Sequence, residues 1–223
     1  MRPARSPESV ESTDQAMLLE QGLAALGVAL SAAAQSRLLD YAALLGKWNR
    51  TYSLTALIDR DKVLSHHLLD SLAVLPYVPA GSLLDVGSGG GMPGIPLAIA
   101  CPNLRVTLLD SNSKKCAFLQ QAAIELSLPN ISVHCGRVEQ YHPSVGFAAI
   151  TARAFSGLAD FVAMTRHLLL ADGHWLAMKG VRPEDEMAHL PADVLVDAVH
   201  RLLVPGVEGE RHLVVIRKAD ANS

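Results

Sequence analysis

The sequence predicts an α/β protein in which a mostly parallel, doubly wound sheet follows a helical N-terminal segment. Short apolar runs alternate with helical patterns from residue 81 onward, and this alternation is typical of the strand–helix–strand units that build a parallel sheet. The first apolar run leads into a glycine-rich loop and then a helix. Before residue 81, the apolar side chains recur at helical spacing instead.

Composition excludes several classes of protein. Half of the 223 residues are hydrophobic and 18% are charged, so the chain can form a core and is not wholly disordered. The three cysteines are far apart, so we expect no metal site. The net charge of −3 differs from the basic balance usual in nucleic-acid-binding proteins. No apolar run approaches the roughly 20 residues of a membrane span, and we expect a cytoplasmic, monomeric protein.

The N-terminal third is predicted to be helical. Residues 1–15 are interpreted as a disordered tail and residues 16–76 as a helical segment. Gly27 is expected to end the first helix in a left-handed conformation, and Ser31 is expected to cap the second. A third helix is predicted over residues 59–75, before Pro76.

Residues 77–223 are predicted to form the sheet domain. The expected strands cover residues 82–86, 104–109, 131–134, 147–152, 174–178, 194–204 and 211–217. The expected helices cover residues 93–100, 113–126 and 158–170. The last two strands are separated by Pro205, Gly206 and Gly209, which is typical of an antiparallel pair. Such a sheet is similar to the Rossmann-like sheet of class I S-adenosylmethionine (SAM)-dependent methyltransferases, whose last strand is antiparallel.

The most informative segment is the loop at residues 83–94, Leu-Leu-Asp-Val-Gly-Ser-Gly-Gly-Gly-Met-Pro-Gly. Glycines let a backbone turn sharply and approach a ligand closely, and the N-terminus of the following helix adds exposed N–H groups. Gly89, Gly91 and Gly94 fit the dinucleotide pattern GxGxxG. Gly87, with Gly89, Gly91 and Asp85, fits the pattern DxGxGxG of SAM methyltransferases.

Two features favour SAM over a dinucleotide. SAM has no pyrophosphate, and the Asp85 carboxylate at the strand end can face the cationic side of SAM. The diphosphate of a dinucleotide would instead be repelled by this carboxylate. The terminal antiparallel pair is the second feature.

Asp110 ends the second strand, where an acid can accept hydrogen bonds from the ribose hydroxyls of either cofactor. The other interpretation of Asp110 is an N-cap for the next helix.

Several motifs occur together in order between about residues 38 and 218. They include His-Leu-Leu-Asp-Ser at 67–71, Asp-Val-Gly-Ser-Gly at 85–89, Gly-Met-Pro-Gly-Ile-Pro at 91–96, Leu-Leu-Asp-Ser at 108–111, Arg-Val-Glu at 137–139, Arg-Ala-Phe at 153–155, Lys-Gly at 179–180 and Gly-Glu-Arg-His-Leu-Val-Val-Ile at 209–216. In this combination, the chain closely resembles the bacterial small-subunit rRNA methyltransferase G family, also called glucose-inhibited division protein B.

The resemblance implies a class I methyltransferase domain behind a helical extension, SAM as the cofactor, and methylation of guanine N7 in the decoding-region loop of 16S rRNA. The expected partner is 16S rRNA within the 30S subunit or an assembly intermediate. The loop pattern, the strand end and the resemblance together give the predicted cofactor contacts Gly87, Gly89, Met92, Asp110, Val138, Glu139 and Arg153.

The predicted RNA contacts are His67, Lys114, Arg153 and Lys179. The resemblance places His67 near the target base. Lys114 opens a helix beside the ribose site, and Lys179 ends the fifth strand, where ligands of such sheets gather. Arg153 is expected to pair with an RNA phosphate or with the SAM carboxylate.

Other candidates have ordinary structural interpretations. His66 and Asp70 are four residues apart on one helix and are expected to form a surface pair. Trp48 and Tyr52 could stack a flipped base, but packing of the N-terminal helices on the sheet is favoured. Arg211 and His212 match the family without an evident physical role.

The implied chemistry makes few demands on the protein. Guanine N7 already presents a lone pair, and the sulfonium methyl of SAM is a strong electrophile, so transfer needs positioning and exclusion of water. We therefore predict no catalytic side chain. Cys101, Cys116 and Cys135 are interpreted as small, partly buried residues.

Two alternative functions remain open. The protein could be an NAD-dependent oxidoreductase, or a non-catalytic SAM-binding ribosome-assembly factor.

Overall fold

Seven strands form a single mixed sheet at the centre of the protein. They are β1 (Ser82–Val86), β2 (Arg105–Asp110), β3 (Ile131–Cys135), β4 (Phe147–Arg153), β5 (Leu169–Lys179), β6 (Val194–Arg201) and β7 (His212–Lys218). Their order across the sheet is β3-β2-β1-β4-β5-β7-β6. The first five are parallel, and β7 lies antiparallel between β5 and β6. This computed structural model describes residues 7–57, 59–153, 155 and 157–219, and it confirms the predicted sheet with its antiparallel last strand.

The helical N-terminal segment contains two long helices and one interrupted helix. These are α1 (Pro7–Leu26), α2 (Ala32–Tyr52), α3 (Arg60–Val63), a π-helical turn (Leu64–Leu69) and α4 (Asp70–Leu72). Gly27 has a φ of +68°, and the Ser31 side chain accepts from the Ala34 N–H, so both boundary predictions are confirmed. Helix α1 begins at Pro7, within the range interpreted as a disordered tail, and residues 1–6 lie outside the described residues.

Four helices connect the strands: α5 (Gly94–Ala100), α6 (Ser113–Glu125), α7 (Leu158–Thr165) and α8 (Glu184–Ala188). The helix expected over 158–170 ends early, because Leu169 already pairs with Phe147 at the start of β5. A short run of leucines fits a helix or a buried strand equally well. The strand expected to reach residue 204 ends at Arg201, and α8 was not predicted.

Alternating residues of the parallel strands face two apolar layers. Leu83 and Leu108 pack on one face with α5, α6 and the N-terminal helices. Leu84, Ile150 and Trp175 pack on the other face with α7. The N-terminal segment therefore shares a core with one face of the sheet, which brings α2 and residues 60–72 to the carboxyl ends of the strands. No described helix is long and apolar enough to cross a membrane.

Candidate functional site

The glycine loop joins β1 to α5 and leaves open space beside Gly87. Gly87 has a φ of +68°, a backbone conformation that favours glycine, and a Cβ added there would meet no atom within 4 Å. Gly91 has a φ of +91°, and a Cβ there would run into the side chain of Ile95. Gly91 thus packs the loop onto α5, whereas Gly87 is exposed and available to a ligand.

A cavity of about 320 Å³ lies beside the loop at the carboxyl ends of β1, β2 and β3. We call it the loop cavity. Its lining includes four predicted cofactor contacts: Gly87, Asp110, Val138 and Glu139. Val138 and Glu139 lie in a single 3₁₀ turn after β3. Ligands of open α/β sheets bind at this edge, so the loop cavity has the location expected for the cofactor.

Asp110 ties the second strand to the glycine loop. Its Oδ2 accepts from the Gly89 N–H at 2.9 Å, and its Oδ1 accepts from the Asn112 N–H at 2.9 Å. The helix cap is Asn112, whose side chain accepts from two N–H groups of α6, so the alternative interpretation of Asp110 as the cap is wrong. A carboxylate can accept about four hydrogen bonds, so Asp110 keeps acceptor capacity toward the loop cavity.

Asp85 does not lie where the sequence suggested. Its side chain is fully buried, and its Oδ2 accepts from the Gly94 N–H at 3.0 Å. Its Oδ1 is buried without a hydrogen-bond partner in the described part of the chain. Burial raises the pKa of Asp85 to about 7, against the lowering effect of the Gly94 N–H. Asp85 therefore holds the start of α5 in place and does not face the loop cavity.

Tyr41 of α2 supports the loop from the other side. The buried Tyr41 hydroxyl donates to the Gly90 carbonyl at 2.5 Å, and burial raises the pKa of Tyr41 far above its usual value. Leu45, one turn later, would lie 3.1 Å from a Cβ at Gly90. The helical N-terminal segment therefore shapes the glycine loop directly.

The Tyr41→Phe variant is expected to bind SAM several-fold more weakly and to lose about 1 kcal/mol of stability. It leaves the Gly90 carbonyl without its donor while keeping the ring, and an average hydrogen bond contributes about that much. Isothermal calorimetry with SAM measures the affinity. Tyr77→Phe, which alters a half-buried tyrosine outside the loop, is the control. SAM affinity equal to that of this control would contradict the role of Tyr41.

A second cavity, of about 330 Å³, lies between residues 60–72, the carboxyl ends of β4 and β5, and the start of the antiparallel strand β7. We call it the arginine cavity. It brings together three of the predicted RNA contacts, His67, Arg153 and Lys179. The fourth, Lys114, is exposed in the first turn of α6 and lines neither cavity.

Asp70 is the centre of the arginine cavity. Its Oδ1 accepts from Arg211 Nε at 3.1 Å, and its Oδ2 lies 3.6 Å from Arg153 Nη1. Only 4% of Asp70 is exposed, so the expected surface pair with His66 is wrong. Burial raises the pKa of Asp70, while Arg153 and Arg211 act to lower it. The structure thereby gives Arg211, on the loop before β7, the role that the sequence did not reveal.

Arg153 meets His67 and Met92 within this network. Its Nη1 donates to the His66 carbonyl at 3.1 Å, and both Nη atoms lie within 3.5 Å of His67 Nδ1. Its Nη2 is 3.7 Å from Met92 Sδ. Met92 is buried and lines neither cavity. Its contact with Arg153 connects the glycine loop to the arginine cavity.

His67 is a buried, neutral side chain. Its Nδ1 lies 3.1 Å from the His66 carbonyl and within 3.5 Å of both Arg153 Nη atoms, and its Nε2 lies 2.9 Å from Thr55 Oγ1. Burial, helped by the charge of Arg153, lowers the pKa of His67 to about 4. Thr55 is itself held by the Asn49 amide at 2.8 and 2.9 Å. His67 therefore links α2 to Arg153.

The pH dependence of stability is expected to report His67. Between pH 6.5 and about 4 the unfolded chain binds a proton at this position and the native chain does not, so stability falls as the pH falls through that interval. The loss relative to His67→Asn is expected to reach about 3 kcal/mol. Urea unfolding at several pH values measures it, and His142→Asn provides an exposed-histidine control. Parallel curves for wild type and His67→Asn would contradict this account.

The remaining candidates have varied surroundings. Lys179 pairs with Glu186 of α8 at 2.7 Å, so this predicted RNA contact already has a carboxylate partner. The Trp48 ring packs against Phe118 at a centroid distance of 5.6 Å, in agreement with the favoured packing role. Cys101 is half-buried and Cys116 is buried, as interpreted, but Cys135 is exposed.

The family model of the rRNA small subunit methyltransferase G matches residues 34–214. The chain belongs to this family. Family membership confirms the predicted SAM-dependent methyltransferase acting on small-subunit rRNA and decides against the NAD-dependent oxidoreductase.

Curated relatives agree over nearly their whole length. A ribosomal RNA small subunit methyltransferase G from Neisseria gonorrhoeae is 56% identical over 90% of this chain and 97% of its own. The protein of the same name from Laribacter hongkongensis is 57% identical over 88% of this chain and 95% of its own.

Solved structures resemble the protein in fold. The O-methyltransferase TomG from Streptomyces achromogenes, in complex with SAM, has a TM-score of 0.55 at 13% identity, covering 81% of this chain and 90% of its own. A SAM-dependent methyltransferase from Aquifex aeolicus has a TM-score of 0.55 at 17% identity, covering 74% of this chain and 96% of its own. At such identities the likeness supports the class I methyltransferase fold.

Proposed function

We propose that this protein transfers the methyl group of SAM to N7 of a guanine in the decoding-region loop of 16S rRNA. The observation that carries the proposal is the pair of cavities at one edge of the sheet. The end of β4 lies between them, since Arg153 lines the arginine cavity and Phe155 lines the loop cavity. A cofactor and a target base held in the two cavities would meet beside these residues.

The residues of the loop cavity fit SAM. Gly87 leaves open space where a side chain would project, and Asp110 retains acceptors for ribose hydroxyls. Val138 and Glu139 line the same cavity, Gly89 donates to Asp110 beside it, and we propose all five residues as cofactor contacts. Met92 acts from beneath by packing on Arg153. When bound, SAM supplies an electrophilic methyl group.

The arginine cavity suits a nucleotide that needs positioning without activation. Arg153 and Arg211 are available to oxygen atoms of the RNA, and the shared Asp70 fixes both guanidinium groups. Burial lowers the pKa of His67 to about 4, which makes it a weak base, so its role is to pack against Arg153 and orient it. Neither cavity has a cysteine in its described lining, which disfavours cytosine C5 chemistry. Positioning and exclusion of water are sufficient for attack by guanine N7.

The deciding experiment is methyl transfer from labelled SAM to 30S particles that lack the modification. We expect the label as 7-methylguanosine in 16S rRNA, and no label with Gly87→Val. Protein-free 16S rRNA, tested in parallel, distinguishes naked RNA from the 30S particle or an assembly intermediate. We propose that the substrate is the 30S particle or an assembly intermediate, because a net charge of −3 gives the protein little general attraction to naked RNA. We also propose that the enzyme is a cytoplasmic monomer. SAM binding without transfer would favour a non-catalytic assembly factor.

A further inference from the structure

We propose that the end of α2 and the start of α6 form a second rRNA-binding surface, which binds the single-stranded RNA segment next to the target guanine. We call this surface the α2–α6 edge. It consists of Trp48, Arg50, Tyr52, Lys114 and Lys115. The inference rests on the proposed function, because it concerns how the same enzyme grips the same rRNA.

The two helices run side by side in opposite directions. Arg37 and Asp40, in the first half of α2, share a groove with Glu125 at the end of α6, and Trp48, near the end of α2, packs against Phe118 nearer the start of α6. The last turn of α2 therefore approaches the first turn of α6. This brings two stretches that are more than 60 residues apart in the sequence to one continuous surface.

The α2–α6 edge borders the loop cavity. Lys115 lines that cavity, and the Asn112 cap orients the first turn of α6 beside Asp110. On the α2 side, Tyr41 and Leu45 touch the glycine loop at Gly90. An RNA strand that leaves the cofactor side of the site would therefore pass over this edge.

Two cations of the edge have no ion-pair partner in the described part of the chain. Arg50 and Lys114 are exposed, and neither forms an ion pair in the described part of the chain. Lys47, one turn earlier on α2, instead faces a groove that contains Asp40 and Glu125. Phosphate groups would complement the cations of the edge, and such contacts fix the position of an RNA without reading its sequence.

An aromatic ring lies beside these cations. Tyr52 is 42% exposed, and Trp48 supports its ring at a centroid distance of 5.2 Å and an interplanar angle of 34°. Unpaired bases stack on exposed aromatic rings while nearby cations bind the backbone. The combination therefore fits a single-stranded RNA segment, since a protein partner would be expected to cover a larger apolar patch.

The first test removes charge at the edge with the double variant Arg50→Gln/Lys114→Gln. We expect the KM for undermethylated 30S particles to rise at least about tenfold, with SAM affinity unchanged. The slope of log affinity against log salt should decrease by about 0.7–0.9 for each lost phosphate contact. Arg105→Gln is the control, because this exposed cation lies at the start of β2, at the end of the strands opposite to the two cavities. A double variant that behaves like this control would overturn the proposal.

The second test examines the ring. Tyr52→Ala should weaken binding to the 30S particle about fivefold or more, and Tyr52→Phe should restore it, since stacking needs the ring alone. A photoreactive benzoylphenylalanine in place of Tyr52 should crosslink to 16S rRNA. Crosslinks only to a ribosomal protein, or none in the bound complex, would overturn the proposal. Wild-type enzyme that fails to methylate 30S particles would instead refute the proposed function.

Discussion

The Gly87→Val variant is expected to lose at least about 100-fold in SAM affinity and to remain folded. A Cβ added at Gly87 meets no atom within 4 Å beyond its chain neighbours, so the valine is expected to project into the loop cavity where the cofactor would lie. A 100-fold loss corresponds to about 3 kcal/mol. Isothermal calorimetry with SAM, together with a circular dichroism spectrum, measures both parts of the expectation.

Gly27→Val is a closely matched control for this variant. Gly27 also has a φ of +68° and also has open space around its Cβ position, but it lies in the turn after α1. Both valines carry the same backbone strain, about 1–2 kcal/mol. The difference in SAM affinity between the two variants therefore isolates the cofactor contact. Equal SAM affinity in both would show that Gly87 does not face the cofactor.

The Asp70→Ala variant is expected to lower the free energy of unfolding by about 3 kcal/mol. Removal of one partner from a buried ion pair leaves the other charges uncompensated, and Asp70 compensates both Arg153 and Arg211. The two arginine side chains are 27% exposed, so water recovers part of the loss. Urea unfolding at pH 7 measures the change, and methyl transfer should decline because Arg153 and Arg211 lose their shared anchor.

The exposed pair between Arg166 and Asp193 is the control for Asp70→Ala. Its distance is 2.6 Å, shorter than the 3.6 Å between Arg153 and Asp70. The Asp193 side chain is 63% exposed, however, and surface pairs contribute at most about 1 kcal/mol. If Asp193→Ala proved as destabilising as Asp70→Ala, then distance would matter more than burial here, and our account of the arginine cavity would fail.

The sheet could be predicted from sequence because local signals specify it. Apolar runs bounded by glycine or proline located all seven strands, and β1 was predicted with the bounds that the structure has. Errors arose where one pattern fits two structures. Leu168 to Leu170 continue the helical pattern of α7, but pairing with Phe147 makes Leu169 the start of β5. Such a choice depends on contacts that are distant in sequence.

The candidate site was predictable only in part, for a similar reason. Gly87 and Asp110 lie at strand ends, where sequence position alone implies proximity to a ligand. Asp70 and Arg211 are 141 positions apart and form one ion pair, which no local spacing can show. The burial of Asp85 was missed because the Gly94 N–H that binds its carboxylate lies beyond the turn of the loop.

The position of β7 limits how this protein can be synthesised. β7 follows the other six strands in the chain, yet it lies between β5 and β6 and forms ladders with both. While residues 212–218 are still untranslated, β5 has an unpaired edge and β6 has no place in the sheet. Arg211, which anchors Asp70, is added in the same late stretch. The arginine cavity therefore cannot form on a nascent chain before β7 emerges, and premature termination before residue 211 would release a product with an open sheet edge, a template for aggregation.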